Sequence, residues 1–135
     1  IARIDTATGR ARVVQPPTAG QGARRIWPDS RGRLWVSEFN AGRLGRYDPA
    51  ARRWREWKLP GGDPHPYAVF VDARDTVWLT DFGEDRILRF DPATARFTAI
   101  RLPTAQAAVR QLLGRGVDVW GAESAADKLV RLRTR

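Results

Sequence analysis

Short apolar runs, rich in β-branched and aromatic side chains and separated by polar turn residues, recur along the chain. Tyr67-Ala-Val-Phe-Val71, Thr76-Val-Trp-Leu-Thr80, Arg86-Ile-Leu-Arg-Phe90 and Arg96-Phe-Thr-Ala-Ile100 are four in succession. Runs of this length and composition predict β-strands. The segments between them carry turn chemistry: Asp29 to Gly32, Asp-Pro-Ala at Asp48 and at Asp91, and Pro60 to Asp63 supply Asx hydrogen bonding, a fixed φ or a positive φ. Helical periodicity is weak throughout. Only Ala105 to Leu113 invites it, and that stretch reads as a loop followed by a strand.

The strands come in repeating groups. A single shift of 43 residues lays Trp35 on Trp78 and aligns the chain without a gap from about Ile26 to Pro60. It superposes Asp29 on Asp72, Glu38 on Asp81, Phe39 on Phe82, Arg46 on Arg89, and Leu59-Pro60 on Leu102-Pro103. A third copy, one residue shorter, puts Trp120 on Trp78, Glu123 on Asp81 and Arg131 on Arg89. A partial copy leads the chain, with Arg3 to Asp5 matching the later Arg-Tyr-Asp and Arg-Phe-Asp.

Four short strands every 40-odd residues define a propeller blade, whose sheet packs both faces against its neighbours. The expected fold is therefore all-β: a β-propeller of four-stranded blades, with about three blades present and the ring incomplete. Residues 1–17 supply two outer strands, 22–60 and 65–103 are blades, and 108–133 is a final blade lacking its outer strand. Trp35, Trp78 and Trp120 are expected to pack between blades, with Arg46, Arg89 and Arg131 on a strand's other face. An open ring calls for further blades upstream or for self-association to cover its ends.

Composition narrows the chemistry. At 135 residues the chain suits one domain. There is no cysteine, which excludes disulfides, thiolate metal sites and cysteine nucleophiles. No apolar run approaches the length of a membrane helix. The net charge of +9 invites a nucleic-acid reading. It is set aside because the excess is nearly all arginine, dispersed through every repeat instead of gathered into one patch; Lys58 and Lys128 are the only lysines.

The units RLWVSEFNAGRLGRYDPAARRWREWKLP and TVWLTDFGEDRILRFDPATARFTAIRLP resemble the repeats of the virginiamycin B lyase (streptogramin lyase) family. Its blades run approximately D-G-x-x-W-F-T-E, then I-G-R-I-D-P-x-T-G, then a strand ending in L-P. The resemblance covers essentially the whole chain. It implies a closed propeller of about seven blades that uses a divalent metal, Mg²⁺, to open a cyclic depsipeptide by elimination across its ester. Such chemistry needs a base for the proton and an electrophile on the carbonyl. In the family, histidines at the start of innermost strands, fourteen residues before the acidic residue of W-F-T-E, resemble the groups doing this work. Here those positions hold Arg24, Tyr67 and, with the third unit's deletion, Arg110. The one histidine, His65, lies two residues before Tyr67.

Strand starts and the loops leaving second strands converge on one mouth of a propeller's channel. Arg24, Glu38, His65, Tyr67, Asp81, Arg110 and Glu123 are therefore the candidate site. In an enzyme His65, Tyr67 and Asp81 would be the catalytic candidates. Arg24 and Arg110 would clamp an anionic or carbonyl-bearing ligand, with Glu38 and Glu123 orienting it or, like Asp81, holding a metal whose ligand set stays open. The alternative is a non-catalytic propeller that holds a small-molecule or peptide-like ligand at the same mouth. A calcium-dependent lactone hydrolase ranks below both, because Asn40 is the only asparagine.

Overall fold

The computed structural model describes residues 1–134. It contains thirteen strands: β1 (Ala2–Ile4), β2 (Ala11–Val13), β3 (Ala23–Pro28), β4 (Leu34–Glu38), β5 (Arg43–Asp48), β6 (Arg53–Lys58), β7 (Pro66–Val71), β8 (Val77–Asp81), β9 (Arg86–Asp91), β10 (Arg96–Arg101), β11 (Val109–Arg115), β12 (Asp118–Glu123) and β13 (Lys128–Arg133). Among the described residues no helix is long and apolar enough to cross a membrane. The strands form antiparallel sheets in chain order: the hairpin β1–β2, the blades β3–β6 and β7–β10, and the three-stranded β11–β13. This is the β-propeller architecture with its ring incomplete.

Sheet pairing puts directly opposed residues on one face. Trp35 opposes Arg46, and Trp78 opposes Arg89. Trp35 is fully buried, stacked on Trp57 of its own blade at 5.4 Å and edge-on to Phe90 of the next at 5.7 Å. Around it Leu44, Val69, Leu79 and Leu88 close the core between the two blades. Trp78 does the same at the following interface, with Phe70, Ile87, Val109 and Leu112. Each indole also has a polar tether: Trp35 Nε1 donates to Asp29 Oδ2 and Trp78 Nε1 to Asp72 Oδ2, both at 3.0 Å. The same aspartates bridge their own turns, Asp29 Oδ1 accepting the N–H groups of Arg31 and Arg33. Six residues before Trp120 stands Gly114, with no carboxylate to offer.

Trp120 departs from expectation. It is 40% exposed, because its face of β12 looks away from the preceding blade and among the described residues no further sheet covers it. Leu113 and Leu129 share that bare face.

The turns between third and fourth strands need a left-handed residue at one fixed position. Gly9 fills it in the leading hairpin at φ 71°, whereas Arg52 and Ala95 hold φ 52° and 55° at the corresponding places. Those side chains are strained where glycine is not.

Candidate functional site

Every innermost strand carries the same irregularity. Between Ala23 and Ile26, Pro66 and Val69, and Val109 and Leu112, two residues oppose one on the neighbouring strand. Such bulges re-aim side chains. The residues placed in them are Arg24-Arg25, Tyr67-Ala68 and Arg110-Gln111. A hydroxyl braces two of the three: Ser37 Oγ accepts the Arg25 N–H at 3.0 Å and donates to the Tyr67 carbonyl of the next blade at 2.6 Å, while Thr80 Oγ1 accepts from Ala68 N at 2.9 Å. The bulges are thereby tied across blades 22–60 and 65–103.

At these bulges the structure assembles an aromatic cluster. Phe39 stacks on the His65 ring at 4.9 Å, and Tyr67 lies on Phe82 at 4.8 Å and 7°. Phe39 meets Tyr67 and Phe82 edge-on at 6.1 and 6.2 Å. All four rings are half-buried. Above them lie two exposed guanidinium groups, Arg24 over Phe39 at 4.7 Å and Arg25 over Tyr67 at 5.1 Å. Among the described residues neither is paired with a carboxylate. Two cations without a carboxylate partner, set on a cluster of aromatic rings, attract an anion and offer it an apolar seat.

The other candidates sit differently. His65 Nδ1 faces the carbonyl of Phe39 in the preceding blade at 3.2 Å and Nε2 faces Asp63 Oδ1 of its own loop at 3.1 Å, so both ring nitrogens are engaged. Asp81 is 2% exposed and saturated: Oδ1 accepts from His65 N at 2.7 Å and Gly83 N at 3.2 Å, and Oδ2 accepts from Arg86 Nε at 3.0 Å with Arg86 Nη2 in ion-pair contact at 2.9 Å. Arg110 is exposed in the third bulge, and no hydrogen bond or ion pair joins it to the cluster among the described residues.

Glu38 and Glu123 occupy the position of Asp81 but are not locked. Glu38 is fully buried, and neither carboxyl oxygen has a partner; Glu123 is 2% exposed with Oε2 unpartnered. The longer Glu38 side chain reaches along its strand to Gly45, where any Cβ would collide with Oε1; blade 65–103 has Leu88 there. Burial pushes the Glu38 carboxyl up to about 7, with Glu56 adding repulsion and Arg43 partly offsetting both.

Phe39, Phe82 and Arg25 were not among the sequence candidates. The signal for the two phenylalanines was an apolar residue retained at the same turn position in two repeats, directly after the acidic one. Among the described residues no three His, Asp or Glu side chains are grouped to hold a metal ion.

The class defined by this architecture is the four-stranded-blade β-propeller. Compared with solved structures, the chain is similar over 98% of its length to virginiamycin B lyase from Staphylococcus aureus, with 25% identity and a TM-score of 0.90, covering 45% of that protein. It is similar to a streptogramin B lyase over 98% of its length at 22% identity and TM-score 0.90, covering 44% of that chain. A catalytically inactive variant of the S. aureus enzyme with quinupristin aligns at 20% identity and TM-score 0.83 over 98% of this chain and 47% of that one. The fold is thus that of a virginiamycin B lyase-like propeller, of which the chain spans less than half the length. No protein-family model and no curated protein matches it.

Proposed function

We propose that the chain contributes a binding mouth to a propeller and takes a small-molecule or peptide-like ligand presenting an anionic or carbonyl group beside a flat ring. The observation carrying this reading is the pair of unpaired guanidinium groups, Arg24 and Arg25, held over the half-buried rings of Phe39 and Tyr67. The ligand's ring packs against the edge of the aromatic cluster and its anionic group meets the two guanidinium groups. Arg110, one bulge further round, is a second clamp for a larger ligand. Because the bulges are pinned by Ser37 and Thr80, the seat is pre-formed and little ordering is required on binding.

The test uses 2-naphthoate as probe, followed by ligand-observed NMR. The double variant R24A/R25A should weaken binding about tenfold, the loss expected of two exposed charge-assisted contacts, and raised salt should weaken the parent protein similarly. Naphthoate binding that is indifferent to both arginines would refute the reading.

The likeness to the S. aureus enzyme favours a second reading, metal-dependent eliminative opening of a cyclic depsipeptide or lactone. In it His65 and Tyr67 move the proton, Asp81 orients them, and Arg24, Glu38, Arg110 and Glu123 hold the substrate. The described residues do not make a Mg²⁺ site by themselves, since Asp81 is consumed by Arg86 and the loop N–H groups. Metal ligands would have to come from other blades, and no step is routed through the ion. Chromatographic conversion of quinupristin by the chain, abolished in H65A and Y67F, would carry this reading; an unchanged elution profile would remove it for this chain.

A further inference from the structure

Arginines that lie apart in the sequence meet on the outer two strands of blade 22–60. Arg46 on β5 stands directly opposite Arg55 on β6, and Arg53 lies on the same face at the start of β6. That face carries Trp35, so it looks toward blade 65–103, where the indole meets Phe90. Like charges set directly opposite each other across a ladder repel. The next blade avoids the conflict: Arg89 is opposed by Thr98, and Thr76 stands where Arg33 does. The blade fold therefore does not require the gathering of cations in blade 22–60.

Among the described residues no carboxylate pairs with Arg46, Arg53 or Arg55, and Arg33 is spent on Asp29. Arg46 is half-buried, with its Nε enclosed and without a hydrogen-bond partner. Burial holds its guanidinium below the usual arginine range, the charges of Arg33 and Arg55 push the same way, and Asp29 and Asp48 partly offset them. Asp48, the carboxylate at the rim, turns into its own loop, where Oδ1 accepts the Ala50 and Ala51 N–H groups at 3.0 Å each.

The cations are also held in place. The guanidinium carbons of Arg46 and Arg55 lie 5.6 and 5.1 Å from the centre of the Trp57 ring, which is itself stacked on Trp35. With Arg53 they line a concavity of about 340 Å³ that Asp48, Ala51 and Trp54 also border. The sheet that carries it and the sheet it looks toward are both four-stranded, so the concavity does not depend on blades beyond these two.

We propose that this concavity binds a tetrahedral oxyanion, phosphate or sulfate, free or carried as a monoester, with Arg46 as the recessed donor and Arg53 and Arg55 meeting the outer oxygens. Planar guanidinium groups donate in pairs to such oxyanions, and a dianion offsets more than one of them at once. The site lies on β5 and β6, apart from the bulge on β3 that carries Arg24 and Arg25.

The probe is inorganic phosphate, titrated at constant ionic strength into the full chain carrying R24A/R25A, which silences the cations at the bulge. Proton–nitrogen NMR of the arginine Nε–H and backbone amide groups should show saturable shifts concentrated on Arg46, Arg55 and the Ala51 amide. R55T installs the residue that the next blade holds at that place and should weaken binding about tenfold; R53A, on the exposed rim, should weaken it about threefold. Near-ultraviolet circular dichroism checks that both keep the fold, and R53A carries the test by itself where R55T does not. Phenyl phosphate separates the sources: tighter binding than inorganic phosphate and sulfate marks an ester-borne group, and weaker binding marks the free anion. Shifts that chloride reproduces at equal ionic strength, affinity unchanged in the variants, or no saturable shift at Arg46 in millimolar phosphate overturns the proposal.

Discussion

Glu38 makes the chain's stability depend on pH in a direction opposite to most carboxylates. In the folded state its carboxyl is fully buried with neither oxygen partnered and titrates at about 7; unfolded, it returns to the ordinary glutamate value of 4.5. Between those values the native chain holds a proton that the unfolded chain has released. Raising the pH therefore pulls the equilibrium toward unfolding. The stabilisation is whole below about pH 4.5 and is gone once the pH has risen through 7. At about 1.4 kcal/mol per pH unit the full swing is about 3 kcal/mol, a large fraction of a small domain's stability. Carboxylates held below their usual range, such as Asp91 bonded by Ala93 N–H and the Thr94 hydroxyl, act in more acidic solution and leave this window clear. In Glu38→Gln the amide keeps the shape but cannot ionise. Urea unfolding at pH 5, 6, 7 and 8 should show the parent losing about 2.5 kcal/mol across the series while the variant stays level. A level parent, or a variant with the same slope, would refute the assignment of a neutral, orphaned carboxyl.

Two further outcomes follow from the repeat itself. Trp35→Ala empties a fully buried site between blades and should cost about 3–5 kcal/mol in urea denaturation, whereas Trp120→Ala, on an open face, should cost less than about 1. Arg52→Gly and Ala95→Gly relieve a left-handed backbone that Gly9 adopts without strain, and each should raise the unfolding free energy by about 0.5–1 kcal/mol after the glycine's added unfolded-state entropy.

The blade is legible in the sequence because its constraints repeat. An indole on the second strand, an aspartate six residues ahead and an Asp-Pro turn recur together in blades 22–60 and 65–103, and each lands at the same place in the fold. The sequence shows Trp35, Trp78 and Trp120 as equals, but burial depends on what lies across the interface, and among the described residues no sheet lies across from Trp120. Glu38 and Asp81 likewise align as one acidic position. One methylene separates them chemically; structurally, Asp81 is short enough to meet Arg86 and the N–H groups of its loop, while Glu38 passes Arg43 and fills the space vacated at Gly45. The glycine standing where a leucine recurs was the available sign.

The candidate site is where the period breaks down, and physics gives the reason. Residues inside the sheets must satisfy two neighbouring blades at once, so a given position tolerates few side chains. The outward residue of each bulge satisfies neither: a bulge leaves its extra residue without a ladder partner and turns it outward, and in two blades a hydroxyl from the next strand, Ser37 or Thr80, carries the local hydrogen bonding instead. With packing no longer dictating identity, Arg24, Tyr67 and Arg110 are free to differ at equivalent places on one rigid frame. A propeller therefore changes ligand without changing its core, and chemistry is best sought where repeats disagree while their hydrogen-bonded supports agree.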